Sequence, residues 1–151
     1  MKVGNRAMYE LIVYLHILGA ILSIGPFFVL FPLLKRMERE KNSDTLKGHV
    51  DSFHLAIQVV KHAGHFLIIF GLLAMWRGHY PWNTPWIVCT FILLMSSVVY
   101  LANAFKPTIR TFNKPQFNQR IFVKKLRRAV YIYVILLLIM LWLMVAKPMF
   151  W

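Results

Sequence analysis

Four apolar stretches, each long enough to cross a bilayer, take up most of the 151 residues of this chain. They are Leu11–Leu34, His54–Trp76, Pro85–Phe105 and Ala129–Ala146. A hydrocarbon core of about 30 Å takes about 20 helical residues. Inside it, backbone N–H and C=O groups find no water, so only helices and closed barrels can span it. Barrel strands alternate apolar and polar side chains, whereas these runs are continuously apolar. The reading is therefore all-α, an integral membrane four-helix bundle of one domain over 1–151, with spans at about 8–34, 54–76, 85–105 and 129–147. The connections are too short to hold a separate soluble domain. The first span is too long for the apolar core of a signal peptide and is followed by basic residues, so it reads as retained.

The net charge of +13 would suggest nucleic acid in a soluble chain, but its placement gives a better account. The first connection carries Lys35, Arg36, Arg39, Lys41 and Lys47. The third connection and its flanks carry Lys106, Arg110, Lys114, Arg120, Lys124, Lys125, Arg127 and Arg128. The opposite side has Lys2, Arg6, Arg77 and Lys147. The positive-inside rule then puts both long connections in the cytoplasm and both termini outside. The expected partner of the basic segments is the anionic lipid surface, with no nucleic acid. Cys89 is the one cysteine, so no intramolecular disulfide and no cysteine-based metal or haem-attachment motif is possible.

The second span is the unusual one, because ionisable side chains inside a membrane are costly and mark functional sites. His54, Gln58 and His62 follow one another at four-residue spacing, and so do Lys61 and His65. Together they form one polar stripe on an otherwise apolar helix. Gly64 lies beside the stripe and leaves room for a neighbouring helix or a flat ring. In the first span His16, Gly19, Ala20 and Ser23 share a face, which suits a small-residue packing seam, a seat for a ring below His16, or both. Pro26 and Pro32 in the same span predict a kink near Pro26. Ser96, Tyr100 and Asn103 share a face of the third span and suit interhelical hydrogen bonds. Tyr131 and Tyr133 suit the interface at the basic end, and the fourth span reads as scaffold.

No phosphate-binding glycine loop, Ser-His-Asp set or paired carboxylates occur. Haem suits the histidines better. A b-type haem needs one or two neutral imidazoles held at matching depth in an apolar cleft. At 1.5 Å per residue, His16 lies roughly 12 Å and His65 roughly 16 Å from the outer ends of their spans, with His62 at roughly 21 Å. The expected cofactor is thus haem b. His16 and His65 would be the axial pair on iron, with His62 as the substitute ligand. Gln58, Lys61, Gly64, Tyr100 and Asn103 are the residues expected around them. Hydrogen-bonded interior histidines, a proton relay or a transition-metal site are the competing readings of the stripe.

The first span reads Leu15-His16-Ile17-Leu18-Gly19-Ala20 and then Ile24-Gly25-Pro26-Phe27-Phe28-Val29-Leu30; the chain closes on Met144-Val145-Ala146-Lys147-Pro148-Met149-Phe150. These segments, with Lys61, Gly64 and Gly71, resemble a group of small four-span bacterial membrane proteins, domain-of-unknown-function family 2269, over nearly the whole length. More distantly the chain resembles the HemJ-type protoporphyrinogen oxidases and copper-resistance D-like proteins. The first of these has a first-span His followed nine residues later by Gly, here His16 and Gly25, and a similar Lys-Pro-Phe tail. That resemblance implies haem binding, with His16 as a ligand. The HemJ-type pattern also uses a third-span lysine, and Pro85–Phe105 contains none, which argues against porphyrinogen oxidation.

The leading expectation is a small membrane haem protein that carries electrons or handles haem, beside a quinone or a larger respiratory complex. A non-catalytic accessory or assembly subunit and a HemJ-type enzyme are the alternatives; whether the chain is an enzyme stays open at this point.

Overall fold

A computed structural model of the chain describes residues 3–113 and 117–149. Lys2, Lys114 and Phe150, used above for charge placement and for the tail, lie outside the described residues. The described residues form α1 (Val3–Arg39), α2 (Ser43–Arg77), α3 (Pro85–Arg110), a short 3₁₀ helix (Thr111–Asn113) and α4 (Gln119–Ala146). The expected all-α architecture is present, and all four long helices are long and apolar enough to cross a membrane. Side chains such as Phe28, Val29, Leu55 and Val145 stand outward, each about two-thirds or more exposed. A membrane protein presents such a surface to lipid tails.

The helices run alternately up and down. At one end Arg77 donates to the Met8 sulfur at 3.1 Å, and Lys147 lies near the rings of Tyr80 and Trp86, 5.8 Å from each centroid. At the other, basic end Arg127 of α4 pairs with Glu38 of α1. Gln119 donates to the carbonyls of Met37 at 2.6 Å and Glu40 at 2.8 Å. Both ends of the described chain therefore lie at the Tyr80 end. α2 packs on α1, α1 on α4, and α4 on α3. The ring is left open between α2 and α3, and that opening positions the site.

The helices outrun the expected spans at the basic end. α2 starts at Ser43 rather than at His54. Asn42 caps it, its side-chain oxygen accepting from the N–H groups of Asp44 at 2.8 Å and Thr45 at 3.3 Å, which satisfies two donors that a helix start leaves unpaired. Within the charged segment Leu46, Val50 and Phe53 recur at helical spacing and are buried. They pack with Leu30, Leu34 and Met37 of α1 and Val123, Leu126 and Val130 of α4 in one core cluster. α4 likewise begins at Gln119, with Asn118 capping Ile121 at 3.1 Å. α1 continues as one helix through Pro26 and Pro32.

Tyr133 was expected at the interface with Tyr131, and here the structure differs. Tyr131 is exposed and its ring packs on Phe31 at 5.0 Å. Tyr133 is buried, 5.1 Å from Phe27 and 6.1 Å from Phe105 between ring centroids. Two residues of helix turn a side chain by about 200°, so neighbouring tyrosines face opposite ways.

The seam between α1 and α2 is close. A Cβ added at Gly19 would stand 3.0 Å from the Leu67 Cα and 3.2 Å from its nitrogen. Gly19 is therefore covered by the backbone of α2, and the face of α1 is a packing seam at this depth.

Candidate functional site

The opening between α2 and α3 is a cleft of about 660 Å³, floored by α4. Of the polar stripe, His54, Gln58, Lys61 and His65 line it, and so does Gly64. His62 lines neither this cleft nor the second cavity; its ring stands 6.5 Å from that of His65 between centroids, on the outer side of the helix. The stripe divides because residues 61 and 62 differ by about 100° of helix rotation, and the close contact of α2 with α1 sets which of them turns inward.

Within the cleft the side chains are held from their own helix. The His65 Nδ1 donates to the Lys61 carbonyl at 2.7 Å. This tautomer leaves Nε2 with a bare lone pair, the arrangement in which a neutral imidazole binds metal. Gln58 donates to the Nε2 of His54 at 3.3 Å. A Cβ at Gly64 would meet nothing within 4 Å, so one wall of the cleft beside His65 is open space. Arg110, the last residue of α3, lines the cleft towards its basic end, and Lys61 lines it further in. From α1, Ser23 lines the cleft with a buried hydroxyl that has no hydrogen-bond partner.

The residues of α3 differ from the expected set. Tyr100 and Asn103 line neither cavity. Ser96 is exposed and bonds back to the Ile92 carbonyl at 2.9 Å. The cleft is instead reached by Ser97, which is buried and bonds to the Leu94 carbonyl at 2.8 Å.

His16 belongs to a second cavity, of about 260 Å³, nearer the Tyr80 end. Its Nδ1 donates across the seam to the Leu67 carbonyl of α2 at 2.9 Å. Gly71 makes this approach possible: a Cβ there would stand 2.9 Å from the His16 Cε1 and 3.1 Å from Nδ1. His16 and His65 thus open onto different cavities, with Leu67, Ile68, Leu94 and Met140 as walls common to both. The structure does not bring this pair together on one ring-sized space. Among the described residues no group of three or more His, Cys, Asp or Glu side chains is assembled that could hold a metal ion.

Ser97, Thr90, Tyr133 and Arg110 are wall residues that the sequence did not place at a site. For Tyr133 a signal existed: Leu126, Val130, Tyr133, Leu137 and Met140 repeat at three- and four-residue spacing and are all buried. For Thr90, a single hydroxyl in an apolar run, none existed.

No protein-family model, curated protein or solved structure matches this chain.

Proposed function

We propose that the chain is a small b-type haem protein of the bacterial plasma membrane, its basic connections cytoplasmic, with the haem in the α2–α3 cleft on the single imidazole of His65. The observation that carries the reading is the His65 ring, tied through Nδ1 to the Lys61 carbonyl at 2.7 Å and facing a cleft of about 660 Å³ with Nε2 free. That volume falls in the range of roughly 300–1,000 Å³ usual for cofactor pockets. Lys61 lies one helical turn from His65 and would supply a counter-charge to a propionate group at the edge of a haem. Gly64, with nothing near its Cα face, leaves the plane of a ring unobstructed.

When bound there on His65, a haem would supply one-electron chemistry. The chain's own contribution is to fix the His65 tautomer, to exclude water with the apolar walls of α3 and α4, and to hold the charged edge. His62 and His16 carry no ligand role in this reading.

The test is haem titration of the detergent-solubilised apoprotein, followed by the Soret band. Wild type should saturate near one haem per chain, and so should His62→Ala. His65→Ala should lose saturable binding while keeping its helical circular dichroism. A His65→Ala protein that binds haem as wild type does would overturn the assignment.

A further inference from the structure

The smaller cavity has no part in the haem reading and is built as a site of its own. His16 stands in its wall with Nδ1 committed to the Leu67 carbonyl at 2.9 Å, which leaves Nε2 as a hydrogen-bond acceptor with a free lone pair. Gly71 admits the ring and, by leaving no room for a side chain, confines it. Thr90 of α3 is a second wall residue. It is 8% exposed, and its hydroxyl has no hydrogen-bond partner. An unpartnered buried hydroxyl is costly, and a ligand oxygen would relieve it. The remaining walls are mainly apolar and aromatic, Tyr9, Tyr80, Trp86 and Phe91 among them. Tyr80 and Trp86 face the Lys147 ammonium at 5.8 Å. Lys147 itself, at the Tyr80 end of the cavity, takes a left-handed backbone conformation at the end of α4 (φ 46°).

We infer that this cavity binds the ring of a hydroquinone-class molecule, with one ring hydroxyl donating to Nε2 of His16 and the second oxygen paired with the Thr90 hydroxyl. The chemistry of the walls selects this class. The acceptor at His16 calls for an O–H, the aromatic walls call for a flat apolar ring, and Thr90 calls for a second oxygen. At about 260 Å³ the space lies just below the roughly 300–1,000 Å³ of common ligand pockets. It therefore suits one substituted ring and excludes a whole haem. The two cavities share apolar walls, but the polar groups invoked here, His16 and Thr90, line only this one, so its success or failure is separate from that of the haem reading.

The experiment is equilibrium dialysis of the full chain in detergent, under argon, against tetramethylhydroquinone, with empty micelles as the reference. Wild type should show saturable binding. Thr90→Val keeps the shape and removes the hydroxyl; it should weaken binding about tenfold, the effect of losing about 1.4 kcal/mol. The same variant should melt no lower than wild type when ligand-free, because it removes an unpaired buried polar group. The Thr90→Ser variant should restore binding. Tetramethylphenol, with one hydroxyl, should bind wild type and Thr90→Val equally weakly. Gly71→Ala should displace the His16 ring and also weaken binding. Absence of saturable binding to wild type would overturn the proposal. So would hydroquinone affinity unchanged in Thr90→Val.

Discussion

Gly19 and Gly64 lie on facing helices, and the same substitution should act oppositely at the two. Replacing an interior helical glycine by alanine gains up to about 1 kcal/mol in helix propensity. In a bilayer part of that gain disappears, because a membrane helix stays helical when its bundle comes apart. The gain is nonetheless common to both sites and cancels in their difference. What remains is what the new Cβ meets. At Gly64 it meets nothing within 4 Å, so Gly64→Ala should be as stable as wild type or slightly more so. At Gly19 it would stand 3.0 Å from the Leu67 Cα, a backbone atom that cannot swing aside as a side chain does. Separation of α1 from α2 by a few tenths of an ångström would disturb the His16–Leu67 hydrogen bond as well. Overpacking of this kind costs about 1–3 kcal/mol, and Gly19→Ala should be less stable than Gly64→Ala by that amount. Unfolding in mixed micelles, titrated with a denaturing detergent and followed by tryptophan fluorescence, measures the difference. Equal midpoints for the two variants would refute the packing argument.

Three further outcomes follow from the same geometry. Tyr133→Ala removes a buried ring packed between Phe27 and Phe105; it should lose about 3–5 kcal/mol in the same titration, with Tyr131→Ala close to wild type. At the basic end, the hydrogen bond from Arg127, with its charge, holds the Glu38 carboxyl below the ordinary glutamate range. A lowered folded pKa means that the pair stabilises the fold above the ordinary glutamate value and that the contribution is lost as pH falls through the folded one. Stability profiles through the acid range should therefore fall less steeply for Glu38→Gln than for wild type, and coincident profiles would contradict this. In a Cys89→Ser background, Tyr80→Cys should react with a membrane-impermeant maleimide on intact cells, and Ser43→Cys only after the cells are permeabilised.

The spans were legible because membrane crossing depends on length and apolarity, which a single sequence displays directly. Their extensions were not. Asn42 and the Leu46, Val50, Phe53 face lie in a segment whose charges mask a helical repeat, and the cap that starts α2 is a short local feature. Residues 54, 58, 61 and 65 share one helix face because they fall within about 60° of rotation of one another, and all four line the cleft. His62 lies at the edge of that arc, and only the contact of Gly19 with the Leu67 backbone decides that it turns away from the cleft. Helix rotation also separates His16 from His65. Their depths along the bundle are similar, but depth is a one-dimensional quantity, and the two rings face different gaps. Ser97 shows the same effect on α3: Ser96 shares a helix face with Tyr100, yet packing turns its neighbour inward.

The measurement that goes most directly to the central claim is the spin state of the ferric haem-loaded protein by electron paramagnetic resonance, compared between wild type and His16→Ala. One protein imidazole, at His65, predicts a high-spin signal in both, retained because His16 lies in the other cavity. A low-spin bis-imidazole signal in wild type that is lost in both His16→Ala and His65→Ala would contradict the account. It would mean that the two helices rotate to bring these histidines onto one iron.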